Sequence, residues 1–206
     1  MGNRALLAAI LALFAAVPSL TSPESRSVAY KLERIQSERA RPGSTVDFGA
    51  HELNAWVADQ VPAYAPHGVR NTHLDLGNGM VTATALIDFL KVRQAQGDQT
   101  NWLIAKLIQG EHPVKVTARI QSANGKATVF VQQVEVSGMS MSGSTLDFLI
   151  DNFFRPLFPD AKLNQPFELA DNVERIEVDP GVAKAVIRSA PSGHWPTRQP
   201  TRLPGQ

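Results

Sequence analysis

The chain has 206 residues, a formal net charge of +1 and no cysteine. This length predicts one domain with a core large enough to fold without a metal or a disulfide, and the missing cysteines exclude thiolate metal sites, cysteine nucleophiles and iron–sulfur clusters. The balanced charge gives no general attraction to nucleic acid, and a hydrophobic content of 43% excludes a fully disordered chain.

Residues 1–22 have the layout of a secretory signal peptide. Arg4 precedes an uninterrupted apolar run, Ala5–Val17, and small residues follow before Pro23. The run is too short to cross a bilayer comfortably, because a transmembrane helix needs about 20 residues. We therefore expect an exported protein, most simply a periplasmic one, with the signal cleaved; retention of the segment as a membrane anchor is the alternative.

Three further segments are predicted along the chain. Residues 23–45 form a polar lead-in, either a short helix or an extended stretch, and residues 46–188 form a single α+β domain. Residues 189–206 contain repeated prolines together with Arg198 and Arg202, and this composition predicts a disordered tail.

The domain opens with a predicted helix that begins after Gly49 and ends before Pro62. Gly49 can serve as the N-cap, Glu52 stands at the third helical position, and Phe48 and Leu53 are placed for a hydrophobic staple. One apolar face repeats with the helical period and consists of Leu53, Trp56, Val57 and Val61.

A long hairpin is predicted next. Its strands are Val69–Leu76 and Met80–Phe89, joined by Gly77-Asn78-Gly79, whose residues tolerate the positive φ of a tight turn. The second strand has the most regular alternation of apolar and polar side chains in the sequence. Its apolar face consists of Val81, Ala83, Ala85, Ile87 and Phe89.

A second long hairpin pairs Pro113–Gln121 with Lys126–Val136 across Asn124-Gly125, the strongest short hairpin signal. The apolar alternation slips at Gln132-Gln133, and a one-residue slip of this kind predicts a β-bulge. A short closing hairpin is predicted from Val173–Val178 and Val182–Arg188.

Helices and loops flank the second hairpin. A polar loop is predicted over residues 93–100, a short helix over Asn101–Gln109 and another loop over residues 138–143. The strongest helix pattern follows, opened by a capping box of Ser144 and Asp147. Its apolar residues recur at intervals of three and four and are Leu146, Leu149, Ile150, Phe153, Phe154 and Leu157.

The sequence contains no recognisable catalytic or metal-binding constellation. None of the five histidines has the spacing of a helical zinc site, and the serines at 140, 142 and 144 do not form a nucleophile elbow. We therefore predict no catalytic residue, no metal ligand and no cofactor. A hydrolase that uses His73 or His112 with an acid such as Asp75 stays open as a further hypothesis.

The element order predicts an α+β fold, a curved antiparallel sheet built from long hairpins and packed on amphipathic helices. The helices carry bulky apolar side chains, whereas the inward strand faces carry mainly valine and alanine. Such surfaces either interdigitate into a filled core or leave a groove of the size of a lipid. The residues alone leave both outcomes open.

The motifs FGAHELNAWV, PVKVTARI…NGKATVFVQQVEVSGM and PFEL…NVERIEVDPGVAKAVI, in this order, resemble the tubular lipid-binding (TULIP/BPI-like) superfamily. The chain is most similar to small exported phospholipid-binding proteins of the LmeA-like group, over about Val46–Arg188. The resemblance implies a long curved sheet wrapped around a helix, with acyl chains in an apolar groove, and it carries over no catalytic residue.

We therefore expect an exported, non-catalytic protein that binds a lipid or other amphiphile between sheet and helices. The alternative is a structural or protein-interaction module of the cell envelope with a filled core, whose partner is an envelope protein or a membrane surface. A long apolar cavity would favour the first hypothesis, and neither involves nucleic acid. The predicted lipid-binding residues are Leu53, Trp56, Val57, Val81, Ala83, Ala85, Ile87, Leu146, Leu149, Ile150, Phe153 and Phe154.

Overall fold

The computed structural model describes residues 22–64, 68–95, 109–155 and 163–189. The helices are α1 (Pro23–Gln36), α2 (Ala50–Tyr64), α3 (Phe89–Ala95) and α4 (Gly143–Leu149), the last continued by a π-helical turn, Ile150–Phe154. The strands are β1 (Thr45–Gly49), β2 (Val69–Gly77), β3 (Met80–Ile87), β4 (His112–Ala123), β5 (Lys126–Val136), β6 (Met139–Met141), β7 (Phe167–Glu168), β8 (Val173–Asp179) and β9 (Val182–Ile187).

The described elements confirm the α+β class with a large antiparallel sheet. None of the described helices is long and apolar enough to span a membrane. The predicted signal peptide lies outside the described residues, as do the predicted helix up to residue 108 and the predicted tail from residue 190.

The strands form two antiparallel sheets that meet at the hairpin tips. The hairpin sheet has the order β2-β3-β4-β5-β6 with β7 also paired to β5, and the small sheet has the order β1-β9-β8. At the tips, Gly79 N–H donates to the Val178 carbonyl at 2.8 Å and Gly125 N–H donates to the Glu174 carbonyl at 2.7 Å. The long hairpins therefore satisfy carbonyls on the outer edge of β8, which an unpaired edge strand would leave open.

The second long hairpin forms as its sequence predicts. Asn124 and Gly125 have φ values of 52° and 74°, as a type I′ turn requires. The predicted bulge is also confirmed, because Thr117 pairs with Gln133 while the next residue, Ala118, pairs with Val131. The extra residue in β5 restores the alternation, so apolar side chains before and after the bulge share one face.

Asparagine side chains form hydrogen bonds with main-chain groups of β2 and β5 at positions where no strand lies on that side. On β2, Leu74 N–H donates to Asn54 Oδ1 at 2.7 Å, and Asn54 Nδ2 donates to the Leu74 carbonyl at 2.9 Å. On β5, Val131 N–H donates to Asn164 Oδ1 at 3.1 Å. The two hydrogen bonds of Asn54 fix α2 along the edge strand β2. They also satisfy main-chain groups that have no neighbouring strand on that side.

The small strands β1 and β6 were not predicted. Thr45 of β1 falls in the predicted lead-in, and Met139–Met141 falls in a predicted loop. Both strands are short and form through pairing with distant or adjacent strands, β1 with β9 and β6 with β5. In each segment the alternation of apolar and polar residues is too short to predict a strand.

The first hairpin ends earlier than predicted, because the helix α3 follows its second strand directly. The predicted strand runs to Phe89, and a polar loop is predicted over residues 93–100. Instead, the strand ends before Asp88, whose Oδ1 accepts a hydrogen bond from Lys91 N–H at 3.1 Å. This contact satisfies an amide at the start of the helix, so the chain turns helical immediately after the strand.

The capping box predicted for Ser144 and Asp147 is wrong. The helix α4 begins earlier, at Gly143, its N-cap residue is Ser142, and no side chain caps it. By contrast, the predicted start of α2 is confirmed, because Gly49 N–H donates to Glu52 Oε2 at 3.0 Å. The predicted end of α2 at Val61 is corrected to Tyr64, because Pro62 lies in the last turn, where its missing N–H removes only one hydrogen bond.

The main core lies between α1, α2 and the small sheet. Val28 of α1 is fully buried, so the predicted lead-in is helical and belongs to the same core as the rest of the domain. Phe48 and Leu53 both join this core, as the predicted staple requires. The buried residues of the main core are Val28, Ile35, Ala40, Phe48, Trp56, Ala127, Phe167, Leu169, Val173, Ala185 and Ile187.

A charged contact joins α1 to α2. Glu52 accepts hydrogen bonds from Lys31 Nζ at 2.6 and 2.8 Å and from Ser27 Oγ at 2.7 Å. Burial alone would raise the pKa of Glu52, but the bonds from Lys31, Ser27 and the Gly49 amide, with the Lys31 charge, lower it below the ordinary 4.5. The ionised carboxylate is therefore the form that the fold stabilises.

This lowered pKa predicts acid sensitivity. Because the folded pKa lies below the unfolded one, the contribution is full above about pH 4.5 and is lost as the pH falls through the folded pKa. Glu52→Gln should cost about 1–2 kcal/mol at neutral pH and should weaken the loss of stability in acid. Urea unfolding at neutral pH and at about pH 3.5 measures both effects.

The matched control is Glu33→Gln, a glutamate on α1 that makes only an exposed contact with Arg39 at 3.5 Å. It should change stability by less than about 0.5 kcal/mol. A Glu52→Gln protein that loses as much stability in acid as the unmodified protein would contradict the assignment.

Candidate apolar binding face

The hairpin sheet carries one continuous apolar face. Residues directly opposite each other on antiparallel strands point to the same side, and the strand register places apolar residues opposite one another from β2 to β6. This apolar face comprises Val69, Leu74 and Leu76 on β2, Val81, Ala83, Ala85 and Ile87 on β3, Val114, Val116 and Ala118 on β4, Val131, Val134 and Val136 on β5, and Met139 and Met141 on β6.

The two ends of the apolar face are closed by buried clusters. Towards the hairpin tips, Ala127 and Val129 of β5 join the main core. At the opposite end lies a second cluster, formed by Phe89 and Val92 of α3. This end cluster is completed by Val69, Ile87, Val114, Val136 and Leu149.

Between the two clusters the apolar side chains stay partly exposed. Every residue of β3 is half-buried, and Val81, Ala83 and Ala85 belong to neither cluster of described residues. Only Ala118 and Val134 are buried within this part of the face, each with 8% of its surface exposed. We call this half-exposed region the central strip, and its residues are Leu74, Leu76, Val81, Ala83, Ala85 and Val116.

The central strip is nearly as long as an acyl chain. On β3 it runs from Val81 to Ala85, which is about 13 Å at about 3.3 Å per residue. The acyl chains of one membrane leaflet fill about 15 Å, half of a hydrocarbon core of about 30 Å. Most of a single fatty acyl chain can therefore lie along the strip between the two clusters.

The helix α4 lies beside the end cluster, and its apolar residues are incompletely covered. Leu149 packs on the end cluster, but no residue of α4 is buried. Phe148 is 43% exposed, and Met139 at the end of the neighbouring strand is 64% exposed. Leu146, Ile150 and Phe154 are half-buried, and the side chain of Phe153 lies outside the described part of the chain.

The predicted lipid-binding residues do not form one surface. Leu53, Trp56 and Val57 pack in the main core, where Trp56 is only 5% exposed. Ile87 and Leu149 belong to the end cluster, so Val81, Ala83 and Ala85 are the predicted residues that lie on the central strip. The central strip also contains Leu74, Leu76 and Val116, which are absent from the predicted set. Strand pairing places them opposite Val81 and Ala83.

A shallow cavity opens on the opposite, polar face of the hairpin sheet. Its volume is about 360 Å³, and Ala85 is the one residue of the predicted set that lines it. The cavity contains Lys115 and Glu135, whose charged groups lie 3.5 Å apart, and it borders the bulged Asn71 with a φ of 52°. This charged, shallow cavity differs from the long apolar cavity that would favour the lipid-binding hypothesis.

The two histidines of the hydrolase hypothesis lie on opposite faces of the hairpin sheet. His73 Nε2 lies 3.3 Å from Asp75 Oδ1 on the polar face, and both side chains are more than half exposed. His112 Nδ1 lies 3.2 Å from Ser137 Oγ, but its other ring nitrogen has no hydrogen-bond partner to orient the ring as a catalytic base. Within the described ranges, no group of three or more histidine, aspartate or glutamate side chains is arranged to hold a metal.

No protein-family model and no curated protein matches this chain.

Proposed function

We propose that this protein is an exported, non-catalytic binding module that holds a lipid or other amphiphile along the central strip. The observation that carries the proposal is the partial exposure of Val81, Ala83 and Ala85, which lie between two clusters of the described residues without joining either. Contiguous apolar surface that stays partly exposed is a candidate for a ligand or interaction site. The predicted signal peptide and the resemblance to exported lipid-binding proteins support the same function.

Burial of an acyl chain supplies the binding free energy. Each methylene removed from water contributes about 0.8 kcal/mol, so about ten methylenes contribute about 8 kcal/mol. That figure equals a Kd of about 1 μM before the entropic cost of binding is subtracted. The strip offers one face of contact, so micromolar or weaker affinity is expected.

The direct test is titration of the delipidated protein with a fluorescent fatty acid. We expect saturable binding with one site per chain and a bound amphiphile in the native mass spectrum of protein that has not been delipidated. If no amphiphile binds and none is carried through purification, the proposal fails. The envelope interaction module would then be the better explanation of the exposed face.

A further inference from the structure

A histidine lies at the end of the apolar face that the end cluster closes. His112 begins β4 in phase with Val114 and Val116, so its side chain is directed to the apolar side of the sheet. Its ring packs on Phe89 of the end cluster, with the ring centroids 5.8 Å apart. The imidazole is therefore a polar group placed where a chain lying on the central strip would end.

The two ring nitrogens of His112 have different surroundings. Nδ1 lies 3.2 Å from Ser137 Oγ at the exposed side of the ring. Nε2 is buried and has no hydrogen-bond partner. A buried polar atom without a partner is costly and uncommon in native proteins, so it calls for a specific explanation.

The acidic groups near this end are already engaged. Asp88 accepts from Lys91 N–H at 3.1 Å and forms an ion pair with Lys91 Nζ at 3.1 Å. Glu111 is paired with Arg70. Neither carboxylate needs His112 Nε2 as a partner.

We propose that His112 Nε2 binds the carboxylate head of the amphiphile whose chain lies on the central strip. This inference rests on the proposed function and assigns the ligand to acidic amphiphiles of the fatty-acid type. In the proposed arrangement Nε2 carries the ring proton and Nδ1 accepts from the Ser137 hydroxyl, so Nε2 can donate to a carboxylate, which only accepts hydrogen bonds. Because Nε2 is buried, binding requires a local rearrangement of the end cluster, and the ligand then supplies the partner that Nε2 lacks.

The test compares a fluorescent fatty acid with its methyl ester, which has the same chain without the charge. The unmodified protein should bind the acid about tenfold more tightly than the ester, since a hydrogen bond to a charged group is among the stronger ones. His112→Phe keeps the packing against Phe89 and removes the nitrogen. It should abolish the preference for the acid and leave binding of the ester unchanged.

The matched control is His73→Phe on the polar face of the same sheet, which should keep the preference. A second measurement needs no variant: the nitrogen-15 resonance of His112 Nε2 should shift when the acid binds and should stay in place with the ester. Equal affinity of the unmodified protein for acid and ester overturns the headgroup assignment but not the proposed function. A loss of acid and ester binding together in His112→Phe also overturns it, whereas failure of the unmodified protein to bind either compound overturns the proposed function itself.

Discussion

Replacing Trp56 with alanine is expected to lower the free energy of unfolding by about 3–5 kcal/mol. Trp56 is 5% exposed and belongs to the main core, which α1, α2 and both sheets share. Its removal leaves a cavity that surrounding side chains can fill only in part. Urea unfolding followed by far-ultraviolet circular dichroism measures the loss, because the substitution also removes a fluorescent probe.

The control for this substitution is Met139→Ala. Met139 is 64% exposed, so its truncation should change stability by less than about 0.5 kcal/mol. A loss below about 1 kcal/mol for Trp56→Ala would show that this side chain is not packed as a core residue. Its predicted place in a lipid groove would then become the better assignment.

The hairpins could be predicted because their signals are local. Asn124-Gly125 adopts the positive φ values of its turn within two residues, and the slip at Gln132-Gln133 is visible as two adjacent polar residues in an alternating strand. Likewise, the Gly49–Glu52 contact at the start of α2 spans one helical turn. Each of these features is decided by neighbours in the sequence, so pattern and structure agree.

The candidate site could be predicted only in part because its surface depends on distant packing. An apolar stripe on a helix predicts that this face of the helix will be covered, but it does not predict which element will cover it. Trp56 and Phe154 carry the same kind of signal, yet one is buried in the main core and the other is half-buried beside the apolar face. Strand pairing, by contrast, carries Val81, Ala83 and Ala85 onto a face whose other members come from β2, β4, β5 and β6.

The central strip can be tested by filling it. Ala83→Phe places a ring in the middle of the strip, at a half-buried position opposite Leu74 and Val116. If the ring displaces about three methylenes of the bound chain, the loss is about 2.4 kcal/mol, or about fiftyfold in Kd. Titration with the fluorescent fatty acid measures it, and circular dichroism verifies that the fold is retained.

The next residue in the strand supplies the control, because Thr84 points to the other face and lines the cavity there. Thr84→Phe adds a ring of the same size to the same strand, so both variants disturb β3 to a similar degree and differ in which face they block. Binding on the central strip requires Ala83→Phe to lose affinity and Thr84→Phe to keep it within about twofold. The reverse result would place the ligand in the cavity of about 360 Å³ beside Lys115 and Glu135. Unchanged affinity in both variants would remove the hairpin sheet as the binding surface altogether.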